Sequence, residues 1–246
     1  MALPKISTPT YELTIPSSGE KVSYRPFLVK EEKTLLMAME SGDNTSLTKA
    51  MKDIISSCTD EKVNTKDLAP FDLEYFFLQL RGRSIGDVIE INIPRPANFT
   101  SCCEEANEDD SCSVEVNIDD IAVDTSAIID PNIELTDDIT IKMRFPQVDE
   151  IQKFQVEGGK TETSQVFKMV IECIEYISDG EEIFKTKDHS KKEMNDFIES
   201  LNTNQFNKIR EFFESMPRLT HEITWECNKC HNTTSLTLQG IDSFFG

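Results

Sequence analysis

Residues 11–24 alternate apolar and polar positions on either side of Pro16-Ser17-Ser18-Gly19, the pattern of a β-hairpin closed by turn residues. The period then changes. Leu28, Leu35, Leu36 and Met39 recur at helical spacing, and the run stops at Gly42, a residue suited to the left-handed end of a helix. Leu47, Ala50, Met51, Ile54, Ile55 and Cys58 mark a second helix. In a third, "DLEYFFLQLRG", Asp72 is the expected N-cap and Leu73, Phe76, Phe77 and Leu80 the inward face. A hairpin followed by three helices is thus expected over residues 1–85.

Alternation returns in "DVIEINIP" and "SVEVNIDDIAV", which flank "RPANFTSCCEEANEDDSC". A further strand pair, "NIELT" and "ITIKMRF", surrounds Asp137 and Asp138. From Pro146 the helical period resumes in "PQVDEIQKFQVEGG". It is strongest in "SQVFKMVIECIEYI", where Val166, Phe167, Val170, Cys173, Ile174 and Ile177 share one face. A hairpin in "YISDGEEIFKTKD" leads to "SKKEMNDFIESL", whose Ser190 and Glu193 form a capping box ahead of Met194, Phe197, Ile198 and Leu201. Phe206, Ile209, Phe213 and Met216 define a last helix, and "EITWE" with "TTSLTLQ" a closing hairpin. No segment repeats at a fixed period.

The expected fold class is α+β. An N-terminal hairpin with helices spans 1–85, and β-hairpins in 86–145 and 220–240 form a zinc-ribbon-like module. A helical region covers 146–219 and a tail 241–246.

Charge narrows the function. Acidic residues outnumber basic ones 45 to 25 in 246 residues, for a formal charge of -20, and such a surface repels a phosphate backbone. Nucleic acid is therefore not expected as a partner. The start, "MALPKISTPTYEL", has neither a cationic lead nor an apolar signal core, and no apolar run approaches the roughly 18 residues of a membrane span. A soluble chain without a membrane partner is expected.

The seven cysteines separate by setting. Cys58 and Cys173 lie among Ile and Met on helix faces and read as small core residues. Cys102, Cys103 and Cys112 occupy one strand-to-strand tip, and Cys227 and Cys230 another, in "WECNKCHN". Two thiolates from each tip would complete a tetrahedral zinc site at Zn–S distances of roughly 2.3 Å. The candidate ligands of one structural Zn²⁺ are Cys103, Cys112, Cys227 and Cys230, with Cys102 as an alternative to Cys103. The first tip is stretched and acidic, so free thiols in a vestigial ribbon, or a local disulfide, stand as the other readings. His231 is a turn residue or a substitute ligand.

Catalytic signatures are missing. The Cys227–Cys230 pair sits between strands rather than at a helix start, the position that activates a redox thiol. His221 and Glu222 are adjacent, not in a deaminase spacing. Hydrolase motifs and phosphate-binding Gly-rich loops are absent. No enzyme, and no small-molecule substrate, is expected. From Pro96 to Ile141 there is no Lys or Arg, while thirteen carboxylates fall there. That tract is either a solvated face or a surface complementary to a basic protein.

The runs "LTIPSSGEKVSYRPFLVKEEKTLLMAMES", "FDLEYFFLQLRGRSIGDV", "IELTDDITIKMRFP", "KEMNDFIESL" and "ITWECNKCHNTTSLTLQGIDSFF" resemble, in order, the baseplate hub protein family of T-even-type tailed bacteriophages. The resemblance covers nearly the whole chain. It implies a non-enzymatic structural or assembly component of the central hub, made in the host cytoplasm and carried into the tail baseplate of the virion, with other hub proteins as partners. An assembly chaperone that leaves the finished particle is the alternative, followed by a zinc-ribbon nucleic-acid binder. In the family a cysteine pair follows the strand at Cys102 and Cys103, and a second pair corresponds to Cys227 and Cys230. The C-terminal Phe244 and Phe245 read either as an anchor for a neighbouring subunit or as a tail folded onto the chain's own core.

Overall fold

The computed structural model describes residues 7–93, 112–156, 162–226 and 233–244. In chain order the first elements are β1 (Tyr11–Thr14), β2 (Lys21–Tyr24), α1 (Val29–Ser41), α2 (Asn44–Cys58) and α3 (Pro70–Ile85). Then come β3 (Val88–Ile93), β4 (Cys112–Asn117), β5 (Ala122–Val123), β6 (Asn132–Glu134) and β7 (Thr140–Met143). The second half holds α4 (Val148–Val156), α5 (Glu162–Glu172), β8 (Ile174–Ser178), β9 (Ile183–Lys185), α6 (Lys191–Ser200) and α7 (Thr203–Glu214). Strands β10 (Leu219–Glu226) and β11 (Thr233–Gln239) complete the series. The mixture of helices with small antiparallel sheets is α+β.

The chain forms two compact units. The first comprises residues 1–65, 71–124 and 218–246, and the second 66–70 and 125–217. The β6–β7 hairpin, grouped with the cysteine hairpins on sequence, falls in the second unit.

In the first unit, α3 is apolar on most sides. Phe71, Leu73, Phe76, Phe77, Leu78 and Leu80 are all buried, as befits an enclosed helix. Helix α2 adds Met51, Ile54 and Ile55. Asp72 is not the N-cap that its sequence position suggests. Helix α3 starts earlier, at Pro70, where a proline costs no hydrogen bond. Asp72 Oδ1 instead accepts the Ser17 N–H at 3.0 Å, tying the β1–β2 turn to α3.

The second unit is a four-stranded antiparallel sheet in the order β6-β7-β8-β9, packed with helices. Its core joins Ile141, Cys173, Ile174, Met194, Ile198, Ile209 and Phe212, with Phe145 stacked on Phe212 at 4.8 Å. Ser190 and Glu193 form the expected capping box of α6.

Two helix expectations need correction here. Ile174 and Ile177, read as a continuation of α5, belong to β8: both of these β-branched residues pair with β7, and Ile177 pairs with β9 as well. Val166 is correspondingly half exposed, and in α7 the fully buried aromatic is Phe212 rather than Phe213.

Candidate functional site

The cysteines expected in the core are there. Cys58 and Cys173 are buried free thiols, and desolvation pushes their pKa up to about 11 and about 12. Thiols held in that range are poor nucleophiles.

Of the candidate zinc ligands, Cys112 begins β4, where its backbone pairs with Ile93 of β3. Cys102, Cys103, Cys227 and Cys230 lie outside the described residues, as do His231 and Phe245. Both hairpins rise from one base. Strand β4 continues through a 3-10 turn (Ile118–Asp120) into β5, which pairs Val123 with Leu219 and Ala122 with Thr220 at the start of β10. From there β10 and β11 run in register to Glu226 and Thr233. Among the described residues, no group of three His, Cys, Asp or Glu side chains could hold a metal ion.

The described carboxylates of the acidic tract, Glu115, Asp119, Asp120, Asp124, Asp130, Glu134, Asp137 and Asp138, are all exposed. Phe244 is 1% exposed, so its ring is buried.

The most ordered polar feature was not foreseen. Arg25 follows β2 and precedes α1. Its N–H donates to the Cys58 carbonyl at 3.0 Å, Nη1 to the Pro26 carbonyl at 3.0 Å, and Nη2 to Glu31 Oε1 at 2.9 Å and the Ser57 carbonyl at 3.2 Å. Glu31 Oε2 accepts the Leu28 N–H at 2.9 Å. Arg144 stands in the same relation to β7 and α4. Its N–H donates to the Cys173 carbonyl at 2.9 Å, Nη1 to the Phe145 carbonyl at 3.2 Å, and Nη2 to Glu150 Oε1 at 2.6 Å and the Glu172 carbonyl at 2.7 Å. Glu150 Oε2 accepts the Gln147 N–H at 2.9 Å. These contacts correspond in the two arrangements, which differ in that Arg144 Nη1 also donates to Glu150 Oε2 at 2.9 Å, whereas around Arg25 the Ser57 hydroxyl lies between Nη2 and Glu31 Oε1 at 3.1 Å and 2.8 Å.

The correspondence extends into the strands. The hairpin preceding Arg25 buries Leu13, Ile15, Val22 and Tyr24, and that preceding Arg144 buries Ile133, Leu135, Ile141 and Met143. Leu13 pairs with Val22 as Ile133 pairs with Ile141. The Ile15 N–H closes its turn on the Glu20 carbonyl, and the Leu135 N–H does so on that of Ile139. Each unit therefore contains one hairpin–arginine–helix–helix module. In each, the arginine caps the carbonyl end of the second helix and the glutamate caps the amide end of the first.

Electrostatics follow from that geometry. Burial works against ionised Glu31, yet Arg25, the Leu28 N–H, Ser57 and Lys30 together bring its pKa down to about 2. Glu150 is also lowered, burial being outweighed by Arg144 and the Gln147 N–H. These groups are held charged and fully engaged, which suits a brace rather than a proton donor.

The Arg25–Glu31 pair also corrects the expected face of α1. Glu31 turns inward to meet Arg25, and Leu35 and Ala38, one and two turns on, are buried with it. Leu28, Leu36 and Met39, expected inside, are exposed together with Val29 and Met37.

With the fold in view, the comparison with known families is direct. A family model described as T4 bacteriophage base plate protein matches residues 8–246, and the chain belongs to that family. It is a phage tail baseplate protein, with a structural role and other baseplate proteins as its contacts. No curated protein and no solved structure matches it. Among the described residues no helix is long and apolar enough to cross a membrane.

Proposed function

We propose that this protein is a non-enzymatic structural or assembly component of the central hub of the baseplate. The observation that carries this reading is the family match over residues 8–246. The ordered resemblance of the chain to hub proteins supports the finer assignment. The inert buried thiols and the carboxylates locked in arginine clamps are consistent with a part that is braced rather than reactive.

Co-expression with the other hub proteins of its phage, followed by pull-down, tests the assignment. A specific complex with a hub protein is the expected result, and none under conditions where those proteins assemble with one another ends it. Mass spectrometry of purified virions separates the two forms of the role, because a stoichiometric signal marks a subunit and its loss an assembly factor that departs.

The reading includes one structural Zn²⁺ held by Cys103, Cys112, Cys227 and Cys230, or by Cys102 in place of Cys103. Its support is the common base of the two hairpins and the suitability of four thiolates for a closed tetrahedral site. Such a metal would tie the hairpin tips together and supply no open coordination position for chemistry.

A further inference from the structure

Two cavities of the second unit adjoin. One of about 460 Å³ opens between the end of α5, the start of β8 and the turn after β9, and one of about 320 Å³ lies between α4, α5 and the start of α6. They share Ile171, Glu172 and Lys191 and so form one groove. In a chain of formal charge -20 its lining is cationic, with Arg144, Lys153, Lys168, Lys185, Lys187 and Lys191 set against three carboxylates. Each of those three already has a cation. Glu150 is held by Arg144 at 2.6 Å, Glu172 by Lys191 at 3.3 Å and Glu175 by Lys142 at 3.2 Å. Lys153, Lys185 and Lys187 form no ion pair with any described residue, and all three are exposed.

The lysines stand on a braced frame. Strand β9 passes into a 3-10 turn (Thr186–Asp188), and Thr186 Oγ1 donates to the Ile174 carbonyl at 2.6 Å, which pins that turn to the start of β8. The Ser190–Glu193 box then fixes Lys191 at the first position of α6. Like charges held together on such a frame favour an anion between them.

The opposite end of the same sheet carries the complement. The β6–β7 turn presents Asp137 and Asp138, and the β8–β9 turn Asp179, Glu181 and Glu182, all of them exposed. Neither turn holds a Lys or Arg. The turns lie side by side, since a Cβ at Gly180 would stand 3.9 Å from the Asp138 carbonyl oxygen. Both are closed internally, where Thr136 Oγ1 accepts the Ile139 N–H at 3.0 Å and Asp179 Oδ1 accepts the Glu182 N–H at 2.8 Å. The length of β8, five residues or roughly 15 Å, separates them from the groove, so a copy cannot seat its own turns there.

We propose that the groove receives the paired acidic turns of a second copy of this chain, with Lys153, Lys185 and Lys187 as the counter-charges, so that copies join head to tail through their second units. The contact is heterologous. Each added copy leaves one groove and one pair of turns open at the ends, and the series closes into a ring where the rotation allows. The net negative charge of each copy works against approach, but at physiological ionic strength that repulsion is screened beyond about 8 Å, whereas ions in contact are not. The contact goes beyond the hub reading and stands without it.

Sedimentation velocity of the purified full chain over a concentration series tests it. Wild type should self-associate as concentration rises. Lys185→Glu with Lys187→Glu, and separately Glu181→Lys with Glu182→Lys, should each weaken that association by about tenfold or more, with unchanged urea midpoints as the check that both variants fold. The second pair makes the chain less negative, so general repulsion would strengthen association where the proposed contact weakens it. An equimolar mixture of the two variants should associate again, because the reversed groove of one meets the reversed turns of the other. A wild type that stays monomeric throughout overturns the proposal, as does association that either variant retains, or a mixture that stays apart. If the groove variant instead abolishes capture of another baseplate protein by a monomeric chain, the groove takes that protein's acidic segment and the second-copy contact falls. A failed hub pull-down leaves this contact standing, and a monomeric chain leaves the hub reading standing.

Discussion

Arg144 grips Glu150 with two parallel hydrogen bonds, Nη1 to Oε2 at 2.9 Å and Nη2 to Oε1 at 2.6 Å. The same residue reaches the last carbonyls of α5 at Glu172 and Cys173. One side chain thereby closes three joints of its unit, and Arg25 does so in the other. Paired, hydrogen-bonded charges of this kind are costly to break singly, because the remaining partner stays partly buried without compensation.

The first prediction follows for the clamps. Glu31→Gln and Glu150→Gln should each lower unfolding stability by about 2–4 kcal/mol, measured as a shift in urea midpoint. Lys208→Gln, at an exposed helix position, should change it little. Equal midpoints for all three variants would show that the clamps contribute nothing.

Acid should weaken the Glu31 clamp, though only at low pH. Its folded pKa of about 2 lies below its ordinary value of 4.5, so the stabilisation it provides is complete above about pH 4.5 and fades as pH falls toward 2. Taken at about 1.4 kcal/mol per pKa unit, the contribution is of order 3 kcal/mol. Wild type should lose stability across this window more steeply than Glu31→Gln. Parallel acid unfolding curves would contradict the assignment.

Thiol chemistry separates the cysteines. In a variant with Ser at Cys102, Cys103, Cys112, Cys227 and Cys230, the native chain should react negligibly with a thiol reagent at pH 8, where burial leaves Cys58 and Cys173 protonated. Unfolding in urea should release both. Rapid labelling of the native variant would mean that those side chains are accessible.

Metal analysis of reduced wild-type protein should return about one zinc per chain. The same serine variant should return none. Zinc retained by that variant would move the site away from the hairpin tips.

At the C-terminal end, Phe244→Ala should cost about 3–5 kcal/mol, the usual range for a fully enclosed ring. A variant that keeps its stability but loses a partner would restore Phe244 as an anchor.

Much of this architecture was legible in the sequence because local signals and packing agree. Gly42 ends α1 at φ +64, as a glycine after a helical run should, and the Ser190–Glu193 box starts α6. Periodicity failed where a polar contact outranked it. Leu36 and Met39 carry the apolar spacing of α1, but Glu31 is bound to Arg25 and its position fixes which side turns inward. At Cys173 the helical pattern runs on, yet Arg144 occupies the carbonyls that a longer helix would use. The duplicated module escaped a search at fixed period for a geometric reason. Both arginines lie six residues from their glutamates, but Arg25 lies 32 residues from Ser57 and Arg144 28 from Glu172. The one local sign is Arg followed at that spacing by Glu after an alternating strand, a pattern too short to single out unaided. The zinc ligands remain as the sequence left them, since all but Cys112 fall outside the described residues.

The split make-up of the first unit bears on how the chain is made. Among the described residues, strand β5 finds its neighbour only in β10, through Val123 and Leu219, and residues 218–246 leave the ribosome after everything else in both units. At about 5–20 residues per second, the first unit waits on the order of seconds for its closing hairpin while the second already has its whole sequence in hand. The usual order of domain maturation is thereby reversed: the later-encoded body is the first able to finish. During that interval the edge of β5 that β10 later covers has no partner strand.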